Sequence, residues 1–147
     1  MKTKLLTITA ALIAASLFGG TSVTAASAAN MGSLPAMHVQ GAISYLSGGI
    51  GQNEADAIKR VAKQYPLELD FLLKAKPKDE YLANVKVLVM DVHDKKVLDA
   101  TSDGPFLIAK LPEGKYTVTA NYDGKIEHRT VQITAHAHQR IVFEWKA

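Results

Sequence analysis

Histidines at positions 136 and 138 are the only closely spaced pair among the five in the chain, and in an extended segment His136 and His138 would point the same way. Two imidazoles so placed are a start on a transition-metal site, but such a site needs further ligands. The chain has no cysteine, and no acidic residue stands immediately beside the pair. The expected reading is a polar loop, with metal binding through His136 and His138 as a second alternative function. No cofactor is expected. Ser47, Gly48, Gly49, Gly51 and Asn53 form the other candidate binding loop. Backbone amides exposed before a helix favour an anion. A phosphate loop, however, carries Lys and Ser or Thr after its last glycine. Here Gln52, Asn53 and Glu54 follow, and Glu54 and Asp56 would repel a phosphate. The segment therefore reads first as a tight turn from strand to helix.

Catalysis finds little to work with. There is no cysteine nucleophile, no serine in a nucleophile elbow and no His-Glu-x-x-His on a helix. Asp91, Asp94, Asp99 and Asp103 cluster around turns, where carboxylates ordinarily bond to the backbone. The chain is read as a non-enzyme. Exposed aromatic rings would suit stacking on sugars, and Tyr45, Tyr81, Tyr122 and Trp145 are the candidates for a carbohydrate-binding alternative. Three of these four fall on strand faces assigned to the core.

The elements that would position these residues are mostly strands. Ile43 and Tyr45 alternate with smaller residues over 42–47, and the glycines then break the strand. Asn53 is a credible N-cap for a helix over about 53–65, in which Ile58, Val61, Ala62 and Tyr65 share one face. Pro66 closes it. Leu67, Leu69, Phe71 and Leu73 then alternate with more polar neighbours. Further strands are expected from Val85, over 97–101, 106–110, 116–122 and 126–134, and from Gln139 to Trp145. Asp94-Lys95-Lys96 and Asp123-Gly124 read as hairpin turns. Seven or so short strands at near-regular spacing predict an antiparallel β-sandwich.

The start has the three-part layout of a secretory signal: Lys2 and Lys4, an apolar run from Leu5 to about Phe18, and small residues ending Ala25-Ala26-Ser27-Ala28-Ala29. The run is shorter than the ~20 apolar residues of a spanning helix. Cleavage near Ala28 or Ala29 is expected, followed by a flexible lead-in over 30–41 and one domain over 42–147. No stable membrane insertion is expected after the cut. Losing Lys2 and Lys4 leaves 15 basic against 14 acidic side chains, so no basic footprint for nucleic acid remains. Without disulfides, burial alone must stabilise the domain.

The stretch from Asp103 through Gly104, Phe106, Leu111, Pro112, Gly114, Tyr116 and Val118 resembles the signature of carboxypeptidase regulatory-like domains. These are similar to transthyretin, and the resemblance implies a mainly β, seven-stranded antiparallel sandwich, here with one short N-terminal helix. On this reading Phe106, Ile108, Tyr116 and Val118 point into the sandwich and Leu111 plugs its end. The glycine-rich turn with an acidic helix start is similar to that of small periplasmic proteins of Gram-negative bacteria that carry such a sandwich. The resemblance implies a periplasmic accessory module that binds a protein or envelope component, with a glycan as the alternative partner. It implies no peptidase activity, because a fold does not carry an activity with it.

Overall fold

The computed structural model describes residues 32–147, and the signal-peptide reading over 1–29 lies outside them. Ten strands and one helix follow in chain order: β1 (His38–Gln40), β2 (Ile43–Gly48), α1 (Gln52–Ala62), β3 (Leu67–Lys74), β4 (Glu80–Tyr81), β5 (Lys86–Met90), β6 (Lys96–Thr101), β7 (Phe106–Lys110), β8 (Gly114–Tyr122), β9 (Lys125–Ile133) and β10 (Gln139–Lys146). They build two sheets. One runs β1-β2-β7-β3-β10, with β4 added beside the far end of β3, and the other runs β6-β5-β8-β9.

Between the sheets lies one core. Leu67, Leu69, Phe71, Leu107, Phe143 and Trp145 from the first sheet meet Val87, Val89, Leu98, Tyr116, Val118 and Ala120 from the second, all buried. The period-two alternation of β3 and β5 reflects this single apolar face. Leu111, Tyr116 and Val118 occupy the core positions that the sequence predicts for them. Tyr116 also donates its hydroxyl to the Pro112 carbonyl at 2.8 Å, which ties the turn before β8 to the strand it starts.

A second, smaller core lies on the outer face of the first sheet, where α1 covers β2 and β7. Ile58, Ala62 and Tyr65 pack there against Leu46, Phe106 and Ile108. Burying side chains of this kind stabilises by about 1.5–3 kcal/mol each. The inward placement of Phe106 and Ile108 is thereby corrected: both face the helix, while Leu107 and Ala109 face the other sheet. Because β7 is covered on both faces, every residue from Phe106 to Ala109 is buried and the alternation carries no phase.

Three further expectations are corrected. The sandwich is not wholly antiparallel, since β10 runs parallel to β3, with Arg140 opposite Glu68 and Phe143 opposite Phe71. The lead-in is not flexible throughout, because β1 pairs with β2 and Gln40 clamps the edge of β6. Its amide donates to the Asp99 carbonyl at 2.7 Å and accepts the Asp99 N–H at 2.9 Å. Such a clamp occupies backbone groups that would otherwise recruit another strand. Finally, α1 starts after Gly51 and ends at Ala62, so Asn53 lies within the first turn and caps nothing. Tyr65 reaches the helix layer from the turn that follows, where its N–H bonds to the Ala62 carbonyl.

Of the two expected hairpin turns, Asp123-Gly124 forms as the sequence predicts, whereas the other spans Asp91 to Lys95 and Lys96 already belongs to β6. Asp123 and Gly124, with φ of 50° and 78°, make the two-residue link between β8 and β9. Before β6, Asp91 accepts the backbone N–H groups of His93 and Lys95, and these bonds, that from Lys95 foremost, hold its carboxyl below the usual range.

Candidate functional site

The glycine-rich loop shapes a surface without presenting an anion cradle. Gly49 donates its N–H to Glu54 Oε1 at 2.7 Å, so a carboxylate of the chain itself fills the position an anion would take. A Cβ on Gly48 would run into that carboxylate, and one on Gly49 into the Phe106 ring. Gly49 and Gly51 also hold φ of 102° and 86°, a region that L side chains avoid. Ser47 is buried, its hydroxyl accepting the Asp103 N–H at 2.9 Å and donating to the Phe106 carbonyl at 3.2 Å. Gly104 lies so close to Gly48 that a Cβ there would meet the Gly48 backbone. Gly114 opens β8 and Pro112 sits in the turn before it, both remote from this loop in the strand pairing.

Beside the loop runs a groove of about 460 Å³ between the start of α1 and the β4 segment, with Ile50, Lys59, Tyr81, Leu82, Pro105 and Phe106 in its walls. Phe106 forms part of its lining while being 3% exposed. Tyr81 tilts against Phe106 with ring centroids 5.5 Å apart, and the Lys59 ammonium stands 5.5 Å from the centre of the same ring. Ile50 and Tyr81 are 67% and 59% exposed, so two large apolar groups flank the opening in water. Exposed apolar surface gathered at a concavity marks a binding site more often than the same residues scattered singly.

The remaining aromatic candidates do not form an exposed row. Tyr45 and Trp145 are core residues, and Tyr122 is half-buried against Trp145. Tyr81 is the one of the four that the sequence does not assign to a core face, and its exposure is set by the two-residue strand β4 at the end of β3, which no periodicity announces.

A second cluster was missed by the sequence reading. Glu68 and Asp70, assigned to the polar face of β3, are buried beside the helix layer, and the parallel pairing brings Arg140 and His138 to them. Arg140 directs both Nε and Nη2 at Asp70 Oδ2. His138 faces the Tyr65 carbonyl through Nδ1 at 2.7 Å and Glu68 Oε2 through Nε2 at 2.8 Å. A carbonyl only accepts, so Nδ1 carries the hydrogen of that contact. Both nitrogens of His138 are therefore engaged. His136 lies in the preceding turn at φ of 60°. Among the described residues no three His, Cys, Asp or Glu side chains are grouped to hold a metal ion.

Asp70 is pushed up to about 6. Burial is the chief cause, the Arg140 hydrogen bond opposes it, and the nearby Glu68 charge adds to the rise. An unfolded chain would hold this proton less tightly, with a carboxyl near the usual ~3.9. The folded state thus takes up a proton first as pH falls. Stability gained at this group grows from about pH 7 down to about pH 4, and is lost as pH rises through about 6. Asp70→Asn, which keeps the shape and removes the charge, is expected to be more stable than the natural chain by about 1–3 kcal/mol near neutral pH, with the gap closing near pH 4. Urea midpoints of the two chains across that range check this.

Neither a family model nor a curated protein matches this chain.

Proposed function

We propose that the chain is an exported, non-enzymatic binding module of the carboxypeptidase regulatory-like type, working in the periplasm on a protein or other envelope component. In this reading β3 and β5 through β10 are the seven strands of the transthyretin-like sandwich, to which β1, β2, α1 and β4 are added. The two sheets about one core, with Leu111, Tyr116 and Val118 inside it, support the family reading. The leader-like residues up to Ala29 support export.

The observation that carries the binding function is the groove in which exposed Ile50 and Tyr81 flank Phe106. A protein segment offering an apolar side chain suits it better than a sheet edge does. The long edge strand β9 carries Lys125, Glu127, His128 and Arg129, and β6 is held by Gln40. Charges and clamps of that kind discourage strand addition.

Two measurements test this. Mass spectrometry of a periplasmic fraction should find a chain that begins at Ala29 or Asn30; only a full-length, membrane-bound species would contradict export. Tagged chain purified after brief cross-linking in cells should bring down a discrete partner, and the Ile50→Asp, Tyr81→Asp double variant should lose it while unfolding at the same urea midpoint. Equal recovery by both chains would remove the groove from consideration.

A further inference from the structure

We propose that Asp70 is the proton acceptor of an acid-responsive switch on the outer face of the first sheet, whose protonation loosens its hold on the Arg140 guanidinium and leaves the shelf beside β4 one charge more positive. The geometry has three parts. Asp70 is 1% exposed, and its second oxygen, Oδ1, is buried without a hydrogen-bond partner. All pairing with Arg140 passes through Oδ2 alone. The Arg140 side chain is itself 58% exposed, so water can solvate it when the pairing weakens.

The charges around Asp70 favour this assignment. From its own strand Glu68 adds a like charge, and from β10 Arg140 supplies the opposite one. His138 is turned to Glu68, and Arg140 Nε also lies 3.8 Å from Glu68 Oε1. Strand β7 faces Asp70 with Phe106, which brings no charge, and α1 directs Lys59 at that same ring. On β4, Tyr81 acts on Arg140 only when its phenol is ionised, so it brings no charge in this pH range. An ionised Asp70 therefore has one cation against one neighbouring anion and a desolvated oxygen, a balance close enough for one proton to tip. Burial raises the carboxyl to about 6, which puts the change within reach of mild acidification.

Protonation puts a hydrogen on the carboxyl, removes its charge and leaves Arg140 with a neutral acceptor. A guanidinium stays charged throughout this range, so the shelf gains one positive charge without a change of fold. Tyr81 links this shelf to the groove, and acidification would then favour an anionic segment at that end. This last consequence rests on the groove being the binding surface; the switch itself does not.

Carbon-13 NMR of aspartate carboxyls in the full chain, titrated from neutral to acid, reads the switch directly. The Asp70 carboxyl should titrate with a midpoint near 6, and the Arg140 Nε–H signal should shift and exchange faster with the same midpoint. In Asp70→Asn the Arg140 signal should hold the acid-like position at every pH. An Asp70 midpoint in the ordinary carboxylate range, or an Arg140 signal indifferent to Asp70, overturns the proposal, and both are read on the natural sequence even if the variant fails to fold. Groove binding is scored separately by the Ile50 and Tyr81 variant, so either idea can fail alone.

Discussion

Phe71→Ala should unfold at a much lower urea concentration than the natural chain, with a loss of about 3–5 kcal/mol. Phe71 is fully buried between the sheets, with ring centroids of Phe143 and Trp145 at 6.1 and 6.4 Å. Truncation removes contacts with both rings at once and leaves a cavity that the strands cannot close without breaking the β3–β10 register. No disulfide holds the chain, so this is a large share of the ~5–15 kcal/mol typical of a small domain. Lys115→Ala, at an exposed position of β8, should change stability by less than about 0.5 kcal/mol. Trp145 fluorescence follows both transitions, and equal midpoints would contradict the assigned core.

Gly104→Ala is expected to destabilise by about 3 kcal/mol, near the upper end for overpacking. The added methyl would meet the carbon, oxygen and Cα of Gly48, backbone atoms at the end of β2 that cannot rotate away as a side chain could. Gly48 pairs with Phe106, so relief requires β2 and β7 to slide apart where they support the groove. The matching change at Gly124→Ala meets open space and acts only through its φ of 78°. It should cost about 1 kcal/mol, the scale of a turn position losing its glycine. Circular dichroism melts of the two variants separate backbone collision from backbone strain.

The parts of the fold legible in sequence are those with one covered face. Val85, Val87 and Val89 alternate with exposed or half-buried neighbours, and β8 repeats the pattern from Tyr116 to Ala120. Where both faces are covered and both are apolar the signal vanishes: Phe106 to Ala109 are buried alike, and only the third dimension says which pair meets the helix. Helix α1 was legible in its apolar face but extended too far, because Tyr65 continues the face from a turn rather than from a helical residue.

The candidate site was legible only in pieces. The glycines form the short turn from strand to helix that their spacing predicts, and their backbone shapes one wall of the groove. Glu54 was expected to repel an incoming phosphate, and in the fold it takes the amide that an anion would use. Glu68 and Asp70 looked like a solvent-facing row because their partners lie some 70 residues away on a parallel strand. Long-range parallel pairing leaves no local mark in sequence. His138 drew attention for its neighbour His136, yet its own partners are Glu68 and the Tyr65 carbonyl.

The groove is tested most directly by a photo-activated cross-linker placed at position 81 of the full chain and illuminated in living cells. A partner seated over Phe106 predicts one discrete adduct from position 81 and none from the same cross-linker at Lys115, at the opposite end of the molecule's strand pairing. The same adducts from both positions, or none from position 81 in a chain that is exported and folded, would contradict a binding module that works through this groove.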